Sequence, residues 1–214
     1  MAIEVYTYNR ILGELGPRIQ LVAVSKTKPA ADIRALYDLG QRDFGENYVQ
    51  ELTEKQQGLP ADIRWHFIGH LQSNKVRNII SFVHLIHGVD SLRLLKEIDR
   101  QAGANGRVVD VLLQVHIARE ETKFGLDPAE LAELMSVVRA NVRVRGLMGM
   151  ASFTDDPAAV RTEFRELKKL FDQYFPDPAA ASILSMGMSA DYPIAIEEGS
   201  NMVRIGSLLF GKRE

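Results

Sequence analysis

The sequence contains no cysteine in 214 residues. It therefore offers neither a disulfide framework nor a thiolate metal site, which fits a chain that stays in a reducing compartment. No uninterrupted apolar run reaches the ~20 residues that cross a bilayer, and the first residues lack the pattern of a secretory signal peptide. These absences predict a cytoplasmic protein with no membrane partner.

A strong excess of either charge is also missing. Lysine and arginine number 26 against 28 aspartate and glutamate, a formal net charge of −2. Nucleic-acid-binding domains usually carry a basic face, so no nucleic-acid partner is predicted. Neither a Gly-x-x-x-x-Gly-Lys-Ser/Thr loop nor a Gly-x-Gly-x-x-Gly fingerprint occurs, so an ATP loop and a dinucleotide site are not indicated.

Short apolar runs alternate with helical patterns along the whole chain, and hydrophobic residues make up 46% of it. No Asn-Gly hairpin signal joins two runs directly, so the alternation favours a parallel sheet. The predicted strands are Leu21–Val24, Asp43–Gly45, Trp65–Ile68, Leu85–Val89, Val108–Val115, Val144–Met148, Ile183–Ser185 and Met202–Ile205.

Helical periodicity fills most of the intervals between these runs. Asp127 and Asp156 each precede a proline, an arrangement typical of a helix N-terminus. The predicted helices are Val5–Leu15, Arg34–Leu39, Tyr48–Gln57, Lys75–Ile80, Leu92–Gln101, Pro128–Arg139 and Ala158–Tyr174.

Eight strand–helix units predict an α/β protein, a single (β/α)₈ TIM barrel of residues 1–214 with an extra N-terminal helix. The competing architecture is an open doubly wound sheet. The second and seventh strands are the weakest of the eight patterns, so the choice between the two depends on them.

Lys26 is the first candidate for chemistry, because it ends the first predicted strand. A lysine held in a dry site can lose its proton and attack a carbonyl, which forms a Schiff base. The alternative is a strand-end lysine whose ammonium group reaches water. Active sites of parallel barrels lie in the loops after the strands, and polar residues that follow all eight strands would meet there.

Two late loops are candidates for an anion site. Small, glycine and hydroxyl residues after the seventh and eighth strands, Ser185–Ser189 and Gly206-Ser207, let backbone N–H groups approach a phosphate. The alternative is a pair of ordinary turns that use glycine for positive φ.

The histidines do not form a recognisable metal motif. His66 and His70 are four residues apart, but this spacing aligns two imidazoles only on a helix, and here it spans a strand and a loop. His66, His84 and His87 are interpreted as structural or hydrogen-bonding residues, and no metal is predicted.

Several long segments, taken together, resemble the family of pyridoxal phosphate-binding proteins that includes the bacterial YggS proteins. The similarity covers nearly the whole chain. The matching segments are Ala23-Val24-Ser25-Lys26-Thr27-Lys28-Pro29, Phe44-Gly45-Glu46-Asn47-Tyr48-Val49-Gln50-Glu51, Trp65-His66-Phe67-Ile68-Gly69-His70-Leu71-Gln72-Ser73-Asn74-Lys75, Leu184-Ser185-Met186-Gly187-Met188-Ser189-Ala190-Asp191 and Val203-Arg204-Ile205-Gly206.

The resemblance implies a barrel like the N-terminal domain of alanine racemase, with pyridoxal 5′-phosphate (PLP) joined as an imine to Lys26. It also implies that Arg204 faces the pyridine nitrogen. The full predicted cofactor-binding set is Lys26, Asn47, Ser185, Ser189, Arg204, Gly206 and Ser207, with Lys28, Lys75 and Lys123 as secondary candidates for transient contact. One departure is His116, which stands where asparagine is expected after the fifth strand.

The function implied is vitamin B6 and amino-acid homeostasis by a monomer that binds PLP, with PLP-dependent apoenzymes as candidate recipients. Turnover is not expected, because an arginine at the ring nitrogen weakens the electron sink. The sequence also ends just after the eighth strand, which leaves no room for a second domain that supplies a catalytic base. The alternatives are a PLP-dependent amino-acid racemase and a Schiff-base aldolase acting on a sugar phosphate.

Overall fold

The protein is a closed barrel of eight parallel strands that pair in chain order. The structure, a computed structural model, describes residues 4–120, 123–177 and 180–211. The strands are β1 (Gln20–Val24), β2 (Asp43–Glu46), β3 (Arg64–Phe67), β4 (Leu85–Val89), β5 (Val109–Gln114), β6 (Val142–Met148), β7 (Ile183–Met188) and β8 (Met202–Ile205).

Helices cover the outside of the barrel. None of the helices in the described residues is long and apolar enough to span a bilayer. The α-helices are α1 (Val5–Leu15), α2 (Ala30–Asp38), α3 (Val49–Gly58), α4 (Leu92–Ala104), α5 (Pro128–Ser136), α6 (Pro157–Tyr174), α7 (Tyr192–Glu197) and α8 (Ser207–Phe210), with 3₁₀ segments at Gly16–Arg18 and Ser73–Asn78.

The barrel prediction is confirmed, including the two weakest strands. β2 pairs with β1 and β3, and β7 pairs with β6 and β8, so the sheet closes instead of remaining open. The extra N-terminal helix is also present, and α1 buries Tyr8, Ile11 and Leu15, three residues on one helical face.

Both proposed N-caps are confirmed. The Asp127 side chain accepts from the N–H groups of Ala129 and Glu130 in a complete capping box, and the Asp156 side chain accepts from the N–H of Ala158. These bonds satisfy backbone donors that have no partner inside their own helix.

Helix type and length differ from the predictions in several places, among them α2, which begins at Ala30, and α8, which was not predicted. The predicted helix Lys75–Ile80 is a 3₁₀ segment at Ser73–Asn78, so one barrel unit lacks an α-helix. α5 ends at Ser136, since Val137 takes an extended backbone (φ −71°, ψ 130°) before the β-branched Val138. α7 was not predicted because its six residues include Pro193 and are too short to show a period.

The barrel interior has an apolar layer and a polar layer. Val22, Leu85, Leu112, Met148 and Met202 form the apolar cluster. Because residues two apart on a strand share a face, His87 lies on the same side of β4 as Leu85. By the same rule Arg204 lies above Met202 on β8. The polar side chains therefore lie one layer closer to the carboxyl ends of the strands.

Candidate functional site

A cavity of about 800 Å³ lies at the carboxyl ends of the barrel strands. The loops after β1, β2, β3, β5, β6, β7 and β8 contribute to its wall. The structure brings most of the predicted cofactor-binding residues to this one cavity: Lys26, Asn47, Ser189, Arg204, Gly206 and Ser207.

Ser185 is the member of the predicted set that does not line the cavity. It is completely buried on β7, where its Oγ lies 2.6 Å from an Arg204 Nη1 atom and 3.3 Å from His87 Nδ1. The hydroxyl is thus enclosed in the barrel interior beside the arginine, and its direct contact with a phosphate stays a prediction.

Side chains of β2 and α3 hold the backbone on both sides of Lys26. On the amino-terminal side, Ser25 Oγ donates to Glu46 Oε1 at 2.6 Å, and Lys55 Nζ donates to the Ser25 carbonyl at 2.9 Å. On the other side, the N–H of Thr27 donates to Glu51 Oε2 at 2.8 Å.

Thr27 has a backbone φ of +64°, a left-handed conformation that costs energy in a β-branched residue. This strained position and the hydrogen bonds that flank it fix the turn that presents Lys26. The nucleophile candidate therefore stands on a rigid support.

Lys55 carries the positive charge of this support. Its Nζ lies 2.8 Å from Glu46 Oε1 and 3.0 Å from Glu51 Oε2, and its side chain is only 11% exposed. Burial raises the pKa of Glu46, and the charge of Lys55 opposes that rise. Lys55 was not among the predicted site residues. The one indication of its role in the sequence is its position four residues after Glu51, on the inward face of α3.

Asn47 presents an unsatisfied acceptor at the cavity wall. Its Oδ1 atom is buried and has no hydrogen-bond partner among the described residues. A Cβ atom on Gly69 would lie 2.3 Å from the Asn47 carbonyl oxygen, so only glycine permits the close approach of the two loops. A buried acceptor without a partner fits a polar ligand that donates to it.

The two candidate phosphate loops are joined directly. The N–H of Gly206 donates to Ser189 Oγ at 3.2 Å. A Cβ atom on Gly206 would lie 3.1 Å from the Val24 carbonyl oxygen. The lack of a side chain at Gly206 therefore lets the two backbone segments approach closely. α8 has only four residues. The N–H groups of Ser207 and Leu208 lack acceptors within the helix, so each would act as a separate donor to a phosphate.

The loop after β7 turns sharply at Gly187, where φ is +94° and a Cβ would lie 2.6 Å from Ala195 Cβ. Asp191 Oδ1 closes the loop by accepting from the N–H of Met188 at 2.6 Å. Burial raises the pKa of Asp191, and this N–H and the charge of Arg204 oppose the rise.

Arg204 supplies a buried positive charge at the cavity floor. It is 4% exposed, and it donates to the Ser185 carbonyl at 2.9 Å and to the Gly149 carbonyl at 3.0 Å. Burial lowers its pKa to about 10, and the carboxyl of Asp191 opposes that shift. The guanidinium therefore remains protonated at neutral pH, and it can only donate hydrogen bonds.

The secondary lysines separate into two groups. Lys28 and Lys123 line the cavity, whereas Lys75 lies on the 3₁₀ segment and does not. Lys123 Nζ donates to the Ala151 carbonyl at 2.7 Å. His116 is not part of the cavity wall, and its Nε2 donates to the Glu120 carbonyl at 2.9 Å, so it holds the loop after β5.

Ion pairs join the carboxyl end of α7 to α6. Glu197 and Glu198 pair with Arg161, and Glu198 also pairs with Arg165. Residues 150–155, in the loop after β6, form one wall of the cavity, and residues 151–155 were not among the predicted site residues.

His66 is fully buried, and its Nε2 lies 2.9 Å from Asp43 Oδ1. Asp43, His66 and His84 bring possible ligand atoms within 4.8 Å of one another. Arg64, however, already donates to both oxygens of Asp43, at 2.7 and 2.5 Å. The hydrogen-bonding interpretation of His66 is thus the one that the geometry supports.

Residues 6–214 match the family model described as the alanine racemase N-terminal domain. The pyridoxal phosphate homeostasis protein of Aquifex aeolicus is 44% identical over 199 residues, which cover 91% of this chain and 87% of the relative. That of Pseudomonas aeruginosa is 42% identical over 200 residues, with coverage of 92% and 85%. This chain belongs to the pyridoxal phosphate homeostasis protein family.

Solved structures agree with this family assignment. PipY of Synechococcus elongatus, solved with PLP bound, has a TM-score of 0.85 and 39% identity, covering 96% of this chain and 99% of PipY. Alanine racemase of Clostridium difficile has a TM-score of 0.80 at 17% identity and covers 98% of this chain but 56% of the racemase. The second similarity shows a shared fold alone.

Proposed function

We propose that this member of the homeostasis family binds PLP reversibly at the cavity and holds it as a Schiff base on Lys26. The observation that carries the proposal is the single cavity that joins an amine, a pair of linked loops with N–H donors and a buried arginine. PLP requires these three features, an amine for its aldehyde, donors for its phosphate and a partner for its ring nitrogen. PipY, whose structure contains PLP, is a close structural neighbour.

Lys26 forms the covalent link. Its Nζ, as the neutral amine, makes a C=N bond with the aldehyde carbon, and the aldehyde oxygen leaves as water. The reaction is reversible by hydrolysis, which suits a protein that takes up and releases its ligand. Ser189, Gly206 and Ser207 are the proposed phosphate contacts, and Asn47 Oδ1 is available as an acceptor for a polar group on the ring.

Arg204 favours storage over turnover. Carbanion chemistry on PLP depends on a protonated ring nitrogen, whereas a charged guanidinium donates to that nitrogen and disfavours its protonation. The proposal therefore excludes transamination and decarboxylation at enzyme rates. A cytoplasmic monomer that buffers PLP and passes it to apoenzymes is the corresponding role.

The test begins with the absorbance spectrum of the purified protein mixed with PLP, before and after borohydride reduction. Peptide mass mapping should then place the pyridoxyl group on Lys26. Alanine and serine should show no racemisation above the rate of free PLP. Racemisation at ordinary enzyme rates that is lost in Lys26→Ala would overturn the storage role, and an absent Schiff-base band would overturn PLP binding.

A transfer assay addresses the recipients. The PLP-loaded protein would be mixed with a PLP-dependent apoenzyme, and the recovery of activity compared with that produced by the same amount of free PLP in the presence of a PLP trap. Recovery that survives the trap supports delivery. If the trap abolishes the recovery of apoenzyme activity, the protein buffers PLP but does not deliver it directly.

A further inference from the structure

A continuous chain of buried hydrogen bonds crosses the barrel interior from Asp43 to Arg204. His66 Nε2 lies 2.9 Å from Asp43 Oδ1, and His66 Nδ1 lies 2.9 Å from His87 Nε2. His87 Nδ1 lies 3.3 Å from Ser185 Oγ, which Arg204 contacts at 2.6 Å. All five residues are at most 5% exposed.

Donor and acceptor chemistry permits one direction along this chain. The Arg204 guanidinium only donates, so Ser185 Oγ accepts from it and directs its single proton to His87 Nδ1. A neutral His87 then carries its proton on Nε2 and donates to His66 Nδ1. His66 in turn carries its proton on Nε2 and donates to the Asp43 carboxylate.

Following the chain from Asp43 gives the same direction for each hydrogen bond. Its carboxylate is held ionised by two hydrogen bonds from Arg64, so it only accepts. His66 must therefore donate from Nε2, and the order of the remaining bonds follows. Reversing the central bond would make His87 donate to Ser185, and the Ser185 proton would then lose its acceptor among the described residues.

We propose that His66, His87 and Ser185 are positioning residues that hold Arg204 in the orientation in which it faces the ring nitrogen of PLP. This inference rests on the proposed function. The geometric reason is the composition of the interior, where the side chains of Leu112 on β5 and Met148 on β6 offer no polar atom to a reoriented guanidinium. With the Ser185 hydroxyl removed, Arg204 keeps as acceptors, among the residues that the structure describes, only the carbonyls of Ser185 and Gly149.

The test compares PLP with 1-deaza-PLP, which has a C–H group in place of the ring nitrogen. The wild type should bind PLP about tenfold more tightly than the analogue, as expected for one charge-assisted hydrogen bond. In Ser185→Ala this ratio should fall to about 2. His87→Leu should behave likewise, whereas His87→Gln, which can accept and donate along the chain, should recover most of the ratio.

His84→Gln is the matched control, because the His84 ring contacts His66 at a centroid distance of 5.4 Å but is not part of the chain. It should keep the wild-type ratio. A Ser185→Ala variant that weakens both ligands equally would overturn the inference while leaving the proposed function intact. A wild type that binds neither ligand would instead overturn the proposed function.

Nitrogen-15 NMR of histidine-labelled wild type tests the deduced direction of the hydrogen bonds even if a variant fails to fold. Both His66 and His87 should carry a proton on Nε2 and none on Nδ1. A proton on Nδ1 of either ring would break the deduced order and refute the assignment.

Discussion

The Nζ atom of Lys55 lies 2.9 Å from the carbonyl oxygen of Ser25, the residue that precedes Lys26. The same ammonium group pairs with Glu46 and Glu51, whose carboxylates hold Ser25 and Thr27. One side chain thereby connects the backbone on both sides of the proposed attachment lysine.

Lys55→Met should destabilise the protein by about 3 kcal/mol, because removal of Lys55 leaves the buried Glu46 carboxylate without its positive partner. It should also slow imine formation at Lys26. Urea unfolding and the time course of the Schiff-base band measure the two effects.

Lys168→Met is the control for Lys55→Met, since Lys168 forms a solvent-exposed pair with Asp172 and should change stability by less than about 1 kcal/mol. Adding Glu46→Gln to Lys55→Met should recover part of the lost stability. Equal stability of the wild type and Lys55→Met would contradict the account.

Lys26→Ala should abolish the borohydride-stable adduct without altering the midpoint of thermal unfolding by more than about 2 °C, because surface and half-buried truncations cost little. Residual PLP binding should persist through the phosphate loops. The control is Lys28→Ala, which removes another cavity-lining ammonium but should leave the adduct on Lys26. An adduct found only on Lys28 or Lys123 would refute the assignment.

Ser189→Ala should weaken PLP binding by about fivefold while leaving pyridoxal binding nearly unchanged. The variant loses the hydroxyl that accepts from the N–H of Gly206 and ties the two phosphate loops together. Fluorescence titration with both ligands provides the measurement, and pyridoxal, which lacks the phosphate, serves as the internal control. Equal losses for the two ligands would argue against a phosphate site in these loops.

Stability should decrease as the pH falls from 7 to 5.5. Burial, followed by the neighbouring His66, Arg204 and His84, lowers the pKa of His87 well below 6.5. The unfolded chain therefore binds a proton in this range that the folded chain does not, and unfolding becomes more favourable. His87→Gln should reduce the pH dependence measured by urea unfolding, and an unchanged pH dependence in that variant would contradict this expectation.

Gly69→Ala should destabilise the barrel and disturb the ligand cavity, since its Cβ would overlap the Asn47 carbonyl. Gly13→Ala is the matched control, because Gly13 lies in α1 with no atom within 4 Å of its Cβ position. That change should raise stability by up to about 1 kcal/mol. We expect the midpoint of thermal unfolding to fall in Gly69→Ala and to rise in Gly13→Ala. Equal shifts of the two midpoints would contradict the close approach of Gly69 to Asn47.

The barrel could be predicted because each strand carries its signal locally. Apolar runs such as Leu21–Val24 and Leu85–Val89 are visible without their partners, and the position of Lys26 after a strand follows from the run itself. The site residues could be predicted only as far as strand ends converge in a parallel barrel. The individual roles of Asn47, Ser189, Arg204 and Ser207 remain predictions.

The supporting contacts could not be predicted, because they join residues far apart in sequence. His87 is separated from Ser185 by 98 positions, and Lys55 from Ser25 by 30. A single histidine in an apolar strand gives no indication of whether it faces the helices or the barrel interior. Ser185 illustrates the limit, since its position in the sequence does not show that its side chain lies in the barrel interior and not at the cavity wall.

The Arg64–Asp43 pair lies where β2 and β3 begin, at the opposite end of the barrel from the cavity. If the hydrogen-bond chain fixes Arg204, the two ends of the barrel are thermodynamically linked, and the linkage is reciprocal. A change that weakens the hydrogen bonds of Asp43 should then lower the affinity for the ligand. Ligand binding should in turn stabilise the first residues of β2 and β3 by the same free energy. Hydrogen exchange at the amides of β2 and β3 should therefore slow when the distant cavity is filled.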